Sequence, residues 1–246
     1  MKSMMMLVRS EAKMILREPS DLLIPLGLPL LILVMWGFQT RDAPPIAGDR
    51  SVLDVIGLPV AFTTTIALIG IINMPTLLTT YRKTGVLRRL ALTPISPLRV
   101  LSSQVAVSVA QAVVGIALAF TVGAIAFDAG TPTDLLPALG VIVLTVLAMY
   151  SIGMVLASLA PSPSATLACG FVIFLGFGAL GGMFGGIDAL PEILGTVGSI
   201  LPFGAAVEAL GATWVGAPVD AKNIISLIAC SVAGITVSAL TFRWTR

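Results

Sequence analysis

Six stretches of the chain are apolar over lengths that suit a lipid bilayer, at residues 22–38, 52–80, 100–127, 135–159, 165–184 and 224–242. A helix rises about 1.5 Å per residue, so roughly 20 such residues cross a hydrocarbon layer about 30 Å thick. Composition closes off a soluble alternative. Of 246 residues 57% are hydrophobic and 11% charged, with a mean hydropathy of +1.05, whereas soluble domains carry about 25% charged residues. The expected fold is all-α: one polytopic membrane domain over residues 1–246 with six transmembrane helices. Pro25, Pro29, Pro59 and Pro75 fall inside these runs. Each removes a backbone donor and is expected to kink its helix. In lipid such breaks need cover from neighbouring helices, so the spans are expected to form a bundle.

The distribution of charge sets the expected orientation. Lys2, Arg9, Lys13 and Arg17 precede the first run; Arg82, Lys83, Arg88, Arg89 and Arg99 lie between the second and third; Arg243 and Arg246 follow the last. Those are eleven of the fourteen basic residues, and with six spans all fall on one side. The other side carries Asp42, Asp49, Asp54, Asp128, Asp134, Asp188, Glu192, Glu208 and Asp220 against Arg41, Arg50 and Lys222. Basic loops stay cytoplasmic, so both termini are expected in the cytoplasm of a multi-pass protein of the plasma (inner) membrane. The residues before the first run are too long and too mixed in charge for a cleaved signal peptide. The net charge of +2 is too small for a nucleic-acid surface.

Three segments are more than simple spans. Wound as a helix, residues 2–18 put Met4, Met5, Val8, Ala12, Ile15 and Leu16 on one arc beside Lys2, Arg9, Lys13 and Arg17. This suits a helix lying in the interface against membrane lipids, with a solvated, topology-setting leader as the alternative. Residues 81–97 alternate cations with Val86, Leu87, Leu90 and Leu92. They suit a short surface helix, or a basic loop that only fixes topology. Residues 185–221 are apolar but broken by glycines and prolines, including Pro191 and Pro202. Two short re-entrant helices near 190–200 and 203–213 account for both properties. Glu208 then either faces protein or water, or snorkels at the interface.

The chemistry missing from the sequence narrows function further. With no histidine, the usual zinc motifs, Ser-His and Cys-His catalysis and histidine proton relays are all excluded, and no metal site is expected. No carboxylate sits near the middle of a run, which removes most support for a proton-coupled pump. Lys83-Thr84 lacks the glycines of a phosphate-binding loop, so the chain is expected to bind no nucleotide and to be no enzyme itself. Thr63, Thr64, Thr65, Asn73, Gln104, Ser108 and Gln111 are polar residues within spans. They read first as helix-helix hydrogen bonds, and Thr64, Asn73, Gln104 and Gln111 are also candidates to line a pathway. Gly176, Gly178, Gly181 and Gly182 read as close helix packing, and Cys169 and Cys230 as small buried hydrophobes.

Taken in order, the amphipathic leader, the run Tyr81 to Leu90 followed by Thr93-Pro94-Ile95-Ser96-Pro97, and the broken stretch ending near Leu201-Pro202-Phe203 resemble the permease subunits of type 2 ABC transporters, exporters of drugs, antibiotics and cell-envelope glycans. The resemblance covers nearly the whole chain. It implies that residues 81–97 form a coupling helix on a separate ATP-binding subunit, which holds the ATP and Mg. Arg82, Lys83, Gly85, Leu87, Arg88, Arg89, Leu90, Thr93 and Pro94 would serve that contact. Many members carry an acidic residue early in this loop, and here none occurs from Tyr81 to Pro97. The resemblance also implies a second permease subunit, a copy or a relative, and re-entrant helices at the outer mouth. A non-transporting scaffold or assembly factor and an ion-coupled secondary carrier are the readings from other classes.

Overall fold

The computed structural model describes residues 19–46, 48–85 and 97–241. The interfacial segment 2–18, residues 86–96 of the basic loop, and Arg243 and Arg246 lie outside the described residues. Among the described residues six helices are long and apolar enough to cross a bilayer: α1 (Pro19–Gln39), α2 (Leu53–Lys83), α3 (Pro97–Phe127), α4 (Leu135–Leu159), α5 (Pro163–Leu180) and α8 (Ala221–Thr241). Between the last two lie α6 (Glu192–Ile200) and α7 (Pro202–Trp214), bent by 82° at their junction. The six expected spans are all present, within a few residues of the expected limits.

The fifth span stops at Leu180 rather than at 184, and the cause is local. Gly182 adopts φ +83°, a left-handed conformation that glycine enters without steric cost. Met183 then donates to the Gly178 carbonyl (2.8 Å) while its side chain packs back on Gly178. This is the hydrogen bond and apolar contact of a Schellman termination. Gly182 and Gly178 therefore end a helix, and Gly176 has open space around it, so only part of the expected glycine packing is realised.

The centre of the bundle is α2. Over its most apolar 18 residues 89% are buried, against 22% over the corresponding 18 residues of α5 and α8. Its apolar residues are enclosed on all sides, as Ile66, Ile69 and Ile71 illustrate. The outer helices turn Leu, Ile and Val outwards, as a hydrocarbon solvent allows.

Pro59 and Pro75 do not break α2; each is preceded by a widened, π-helical turn, Leu53–Gly57 and Leu68–Asn73. There Leu58 N–H reaches back to the Leu53 carbonyl and Met74 N–H to the Ile69 carbonyl, five residues instead of four. A proline ring crowds the carbonyl four residues before it, and for these two prolines those carbonyls belong to Val55 and Ile71. Both are received by glycines of other helices. A Cβ on Gly211 would collide with the Val55 carbonyl, and one on Gly170 would lie 3.0 Å from the Ile71 carbonyl. The Gly70 carbonyl, in the same widened turn, meets Gly153 of α4 so closely that a Cβ there would also collide. Small residues let the backbones approach, and Cα–H groups then face oxygens that lipid could not satisfy. The expected cover over the proline breaks is thus present in α2, whereas Pro25 and Pro29 sit within the unbroken α1.

The α6–α7 pair enters and leaves on one side. Its entry lies where Trp36, near the end of α1, donates to the Met183 carbonyl (3.1 Å). Its exit lies where Trp214 donates to the Gly130 carbonyl (2.9 Å), just before α4 begins. Between them Ala205 and Ala206 reach inward to Ala148, midway along α4, and to Leu227 of α8. The pair is therefore a re-entrant hairpin, and the spans among the described residues number six. Its apex follows from Pro202: the residue before a proline is held extended, and Leu201 at ψ 146° ends α6 and opens α7.

Two glycines of α4 separate these effects. A Cβ on Gly140 would have nothing within 4 Å, whereas one on Gly153 would strike the Gly70 carbonyl. Gly140→Ala is expected to be neutral or to stabilise by up to ~1 kcal/mol. Gly153→Ala is expected to cost about 1–3 kcal/mol. Thermal unfolding of the two variants in the same detergent measures the contrast.

Candidate functional site

The two ends of α2 carry the polar chemistry of the chain. At the basic end, threonine hydroxyls bond back along the helix, with Thr79 donating to the Pro75 carbonyl (3.0 Å) and Thr80 to the Thr76 carbonyl (2.8 Å). Thr166 of α5 donates to the Thr79 hydroxyl at 3.2 Å, tying the two helices. Arg82 then leaves α2 sideways. Its guanidinium donates to the Ala157 carbonyl (3.0 Å) and to the Ala160 carbonyl. These lie at the end of α4, where carbonyls lack helical partners and the helix dipole favours a cation. One residue further on, α2 ends at Lys83. Thr84 N–H bonds to the Thr80 carbonyl (2.9 Å) and Gly85 follows at φ +71°, the left-handed position of a helix C-terminus.

Of the residues assigned to the coupling contact, the structure thus places Arg82 against the chain's own α4–α5 connection. Lys83 is exposed and Gly85 takes the left-handed conformation that follows the end of α2. Leu87, Arg88, Arg89, Leu90, Thr93 and Pro94 lie outside the described residues. The connection gripped by Arg82 is itself ordered, because Ser162 caps α5 by accepting from Ala165 N–H (3.2 Å).

At the acidic end sits Asp54, which the sequence places both inside the run 52–80 and among the charges of the far-side loops. The structure decides for the run: Asp54 lies in the first turn of α2 and is 5% exposed. Its carboxylate accepts from Ser51 N–H (3.1 Å) and Ser51 Oγ (2.9 Å), while Asp54 N–H donates back to Ser51 Oγ (3.1 Å). That reciprocal pair is a capping box. The second carboxylate oxygen accepts from Gly130 N–H at 2.8 Å, joining the α3–α4 loop to α2. Thr133 completes the junction, donating to the Trp214 carbonyl (2.7 Å) and accepting from Arg50 (3.1 Å). The sequence signal for Asp54 is the spacing Ser51-x-x-Asp54; Arg82 has no equivalent, since its partners are backbone carbonyls.

Between the ends, Thr64 and Gln104 are buried in the packed interior without hydrogen-bond partners among the described residues, while Gln111 and Asn73 interact within the chain. In the hairpin, Pro191 and Pro202 open α6 and α7. Glu208 faces Lys222 at the start of α8 (3.2 Å) and borders a cavity of about 290 Å³ between α7, the first turn of α2 and the Gly181–Gly186 turn. It is therefore bordered by protein and paired. Cys230 is half-buried, but Cys169 lies exposed on the outward face of α5, contrary to its expected burial. Among the described residues no three His, Cys, Asp or Glu side chains gather as metal ligands.

Against known proteins, a family model described as ABC-2 type transporter matches residues 2–215, which takes in every element from the N-terminal segment through the re-entrant hairpin. No curated protein matches the chain.

Because Asp54 satisfies donors from two loops, Asp54→Ala is expected to destabilise the fold by about 1–3 kcal/mol. Limited proteolysis should then open the 128–134 loop before any other described segment. Cleavage there at the native rate would contradict the role given to Asp54.

Proposed function

The chain belongs to the ABC-2 type transporter family, and from that premise we propose that it is the permease subunit of an ATP-driven exporter, moving drug, antibiotic, lipid or glycan-type amphiphiles across the plasma (inner) membrane. The membrane domain of an ABC transporter works with a separate ATP-binding subunit, and in this proposal that partner holds the ATP and Mg. Two permease subunits, copies or relatives, enclose the pathway. The basic face and both termini lie in the cytoplasm, as the excess of Lys and Arg on that side favours.

The observation that carries the proposal is the linkage of α2. Its acidic end is bound to the α3–α4 loop through Asp54 and Gly130. Its basic end leads through Gly85 into the cationic segment, and Arg82 grips the end of α4. A push on the cationic segment therefore reaches α2 and α4 together. Close-packed helices do not deform continuously, so such a push selects between discrete packings. ATP-driven approach of two partner subunits would supply it, and a pathway alternately open to each side would be the output.

Two variants test this. Arg88→Ala combined with Arg89→Ala is expected to lower transport about tenfold, a loss of ~1.4 kcal/mol, in a chain that still inserts. Arg82→Gln is expected to leave ATP hydrolysis by the complex near its normal rate while transport falls, because force no longer reaches α4. Coupled transport at the native rate in both would remove the proposed linkage. Val86→Cys, in a chain freed of its native cysteines, should resist a membrane-impermeant thiol reagent in intact cells; ready labelling would place the segment outside.

A further inference from the structure

We propose that the cleft between α3 and α4 near the acidic face is a phospholipid site, with one acyl chain in the cleft and the lipid phosphate at Arg50. The cleft encloses about 570 Å³ and is walled by Phe62, Val113, Phe120, Ala138, Ile142 and Trp214 among others. Its volume is that of a small-molecule site, and its lining is almost wholly apolar. It opens laterally, because Val113, Leu135 and Leu139, which border it, are exposed on the outer surface of the bundle. That surface faces the hydrocarbon of the leaflet on the acidic side.

Shape selects the occupant. A helix about 10 Å across with a 5.4 Å pitch occupies roughly 420 Å³ per turn. The cleft would therefore take little more than one turn of a helix from a second copy. A single flexible hydrocarbon chain fills such a space without that constraint.

Charge completes the match. Thr131 and Pro132 line the mouth of the cleft, and Arg50 lies against the residues on either side of them, packing on Gly130 and donating to Thr133. The guanidinium forms no ion pair among the described residues. Asp54, whose carboxylate reaches Gly130 in this junction, is already engaged by Ser51 and Gly130. An arginine so placed offers several N–H donors to a phosphate at the depth where an acyl chain meets its headgroup.

Trp214 provides a reporter, since it lines the cleft yet is 1% exposed. The full chain carrying Trp36→Phe and Trp244→Phe is placed in vesicles with increasing fractions of phosphatidylcholine brominated on its acyl chains. Most Trp214 emission is expected to be quenched, and Ala138→Phe, which fills the cleft, should restore it. Arg50→Gln is expected to raise the half-quenching fraction about threefold for the phospholipid and to leave brominated diacylglycerol unchanged. As a second readout, native mass spectrometry of the unaltered chain in detergent should retain one phospholipid that Ala138→Phe and Arg50→Gln both release. An unquenched Trp214 in the reporter chain, or quenching and lipid retention equal across all the variants, would overturn the site.

Discussion

In hydrocarbon no solvent can accept a stray backbone hydrogen bond, and the structure is organised around two places where prolines displace one. Pro59 and Pro75 each unseat the carbonyl four residues earlier, and each time a widened turn directs it towards a glycine on another helix, Gly211 for Val55 and Gly170 for Ile71. The arrangement explains why α2 is the enclosed element. Other helices surround this span and receive both displaced carbonyls. It also explains why the re-entrant hairpin packs inward: α7 carries Gly211, one of the receiving residues.

Both ends of α2 are then tied to their neighbours by polar groups at the level where lipid gives way to water. On one side Asp54 bridges two loops with three donors. On the other, Arg82 holds the end of α4 and Gly85, at positive φ, follows the helix end. Stiffness along the span and attachment at its ends are what a lever requires. The mechanical reading of the family relationship rests on that combination, not on any one contact.

Much of this is legible in the sequence, because run length and composition answer to the bilayer directly. The six spans, the break at Leu201-Pro202 and the all-helical class need no knowledge of which residues touch. What cannot be read are the pairings across the chain. Val55 with Gly211 and Ile71 with Gly170 join positions far apart in sequence, and a glycine in an apolar run looks the same whether it receives a carbonyl, ends a helix like Gly182 or faces open space like Gly176. Asp54 falls to a loop in the charge pattern for a different reason: its Ser51-x-x-Asp54 spacing is a local cap signal, and a charge count treats every carboxylate alike. Arg82 stands out in the sequence as a cation beside a span, but its partners are backbone carbonyls and leave no mark there.

Each widened turn in α2 adds one residue to its circuit, and that fixes rotational phase. A residue of an α-helix advances the facing direction by about 100°, so the two extra residues before Pro59 and Pro75 determine which way every later side chain looks. Arg82 meets the end of α4 because the count comes out as it does. Closing the widened turn between Leu68 and Asn73 into ordinary α-helix, with every residue kept, would leave an equally hydrophobic helix whose guanidinium was rotated by about 100° towards a different neighbour.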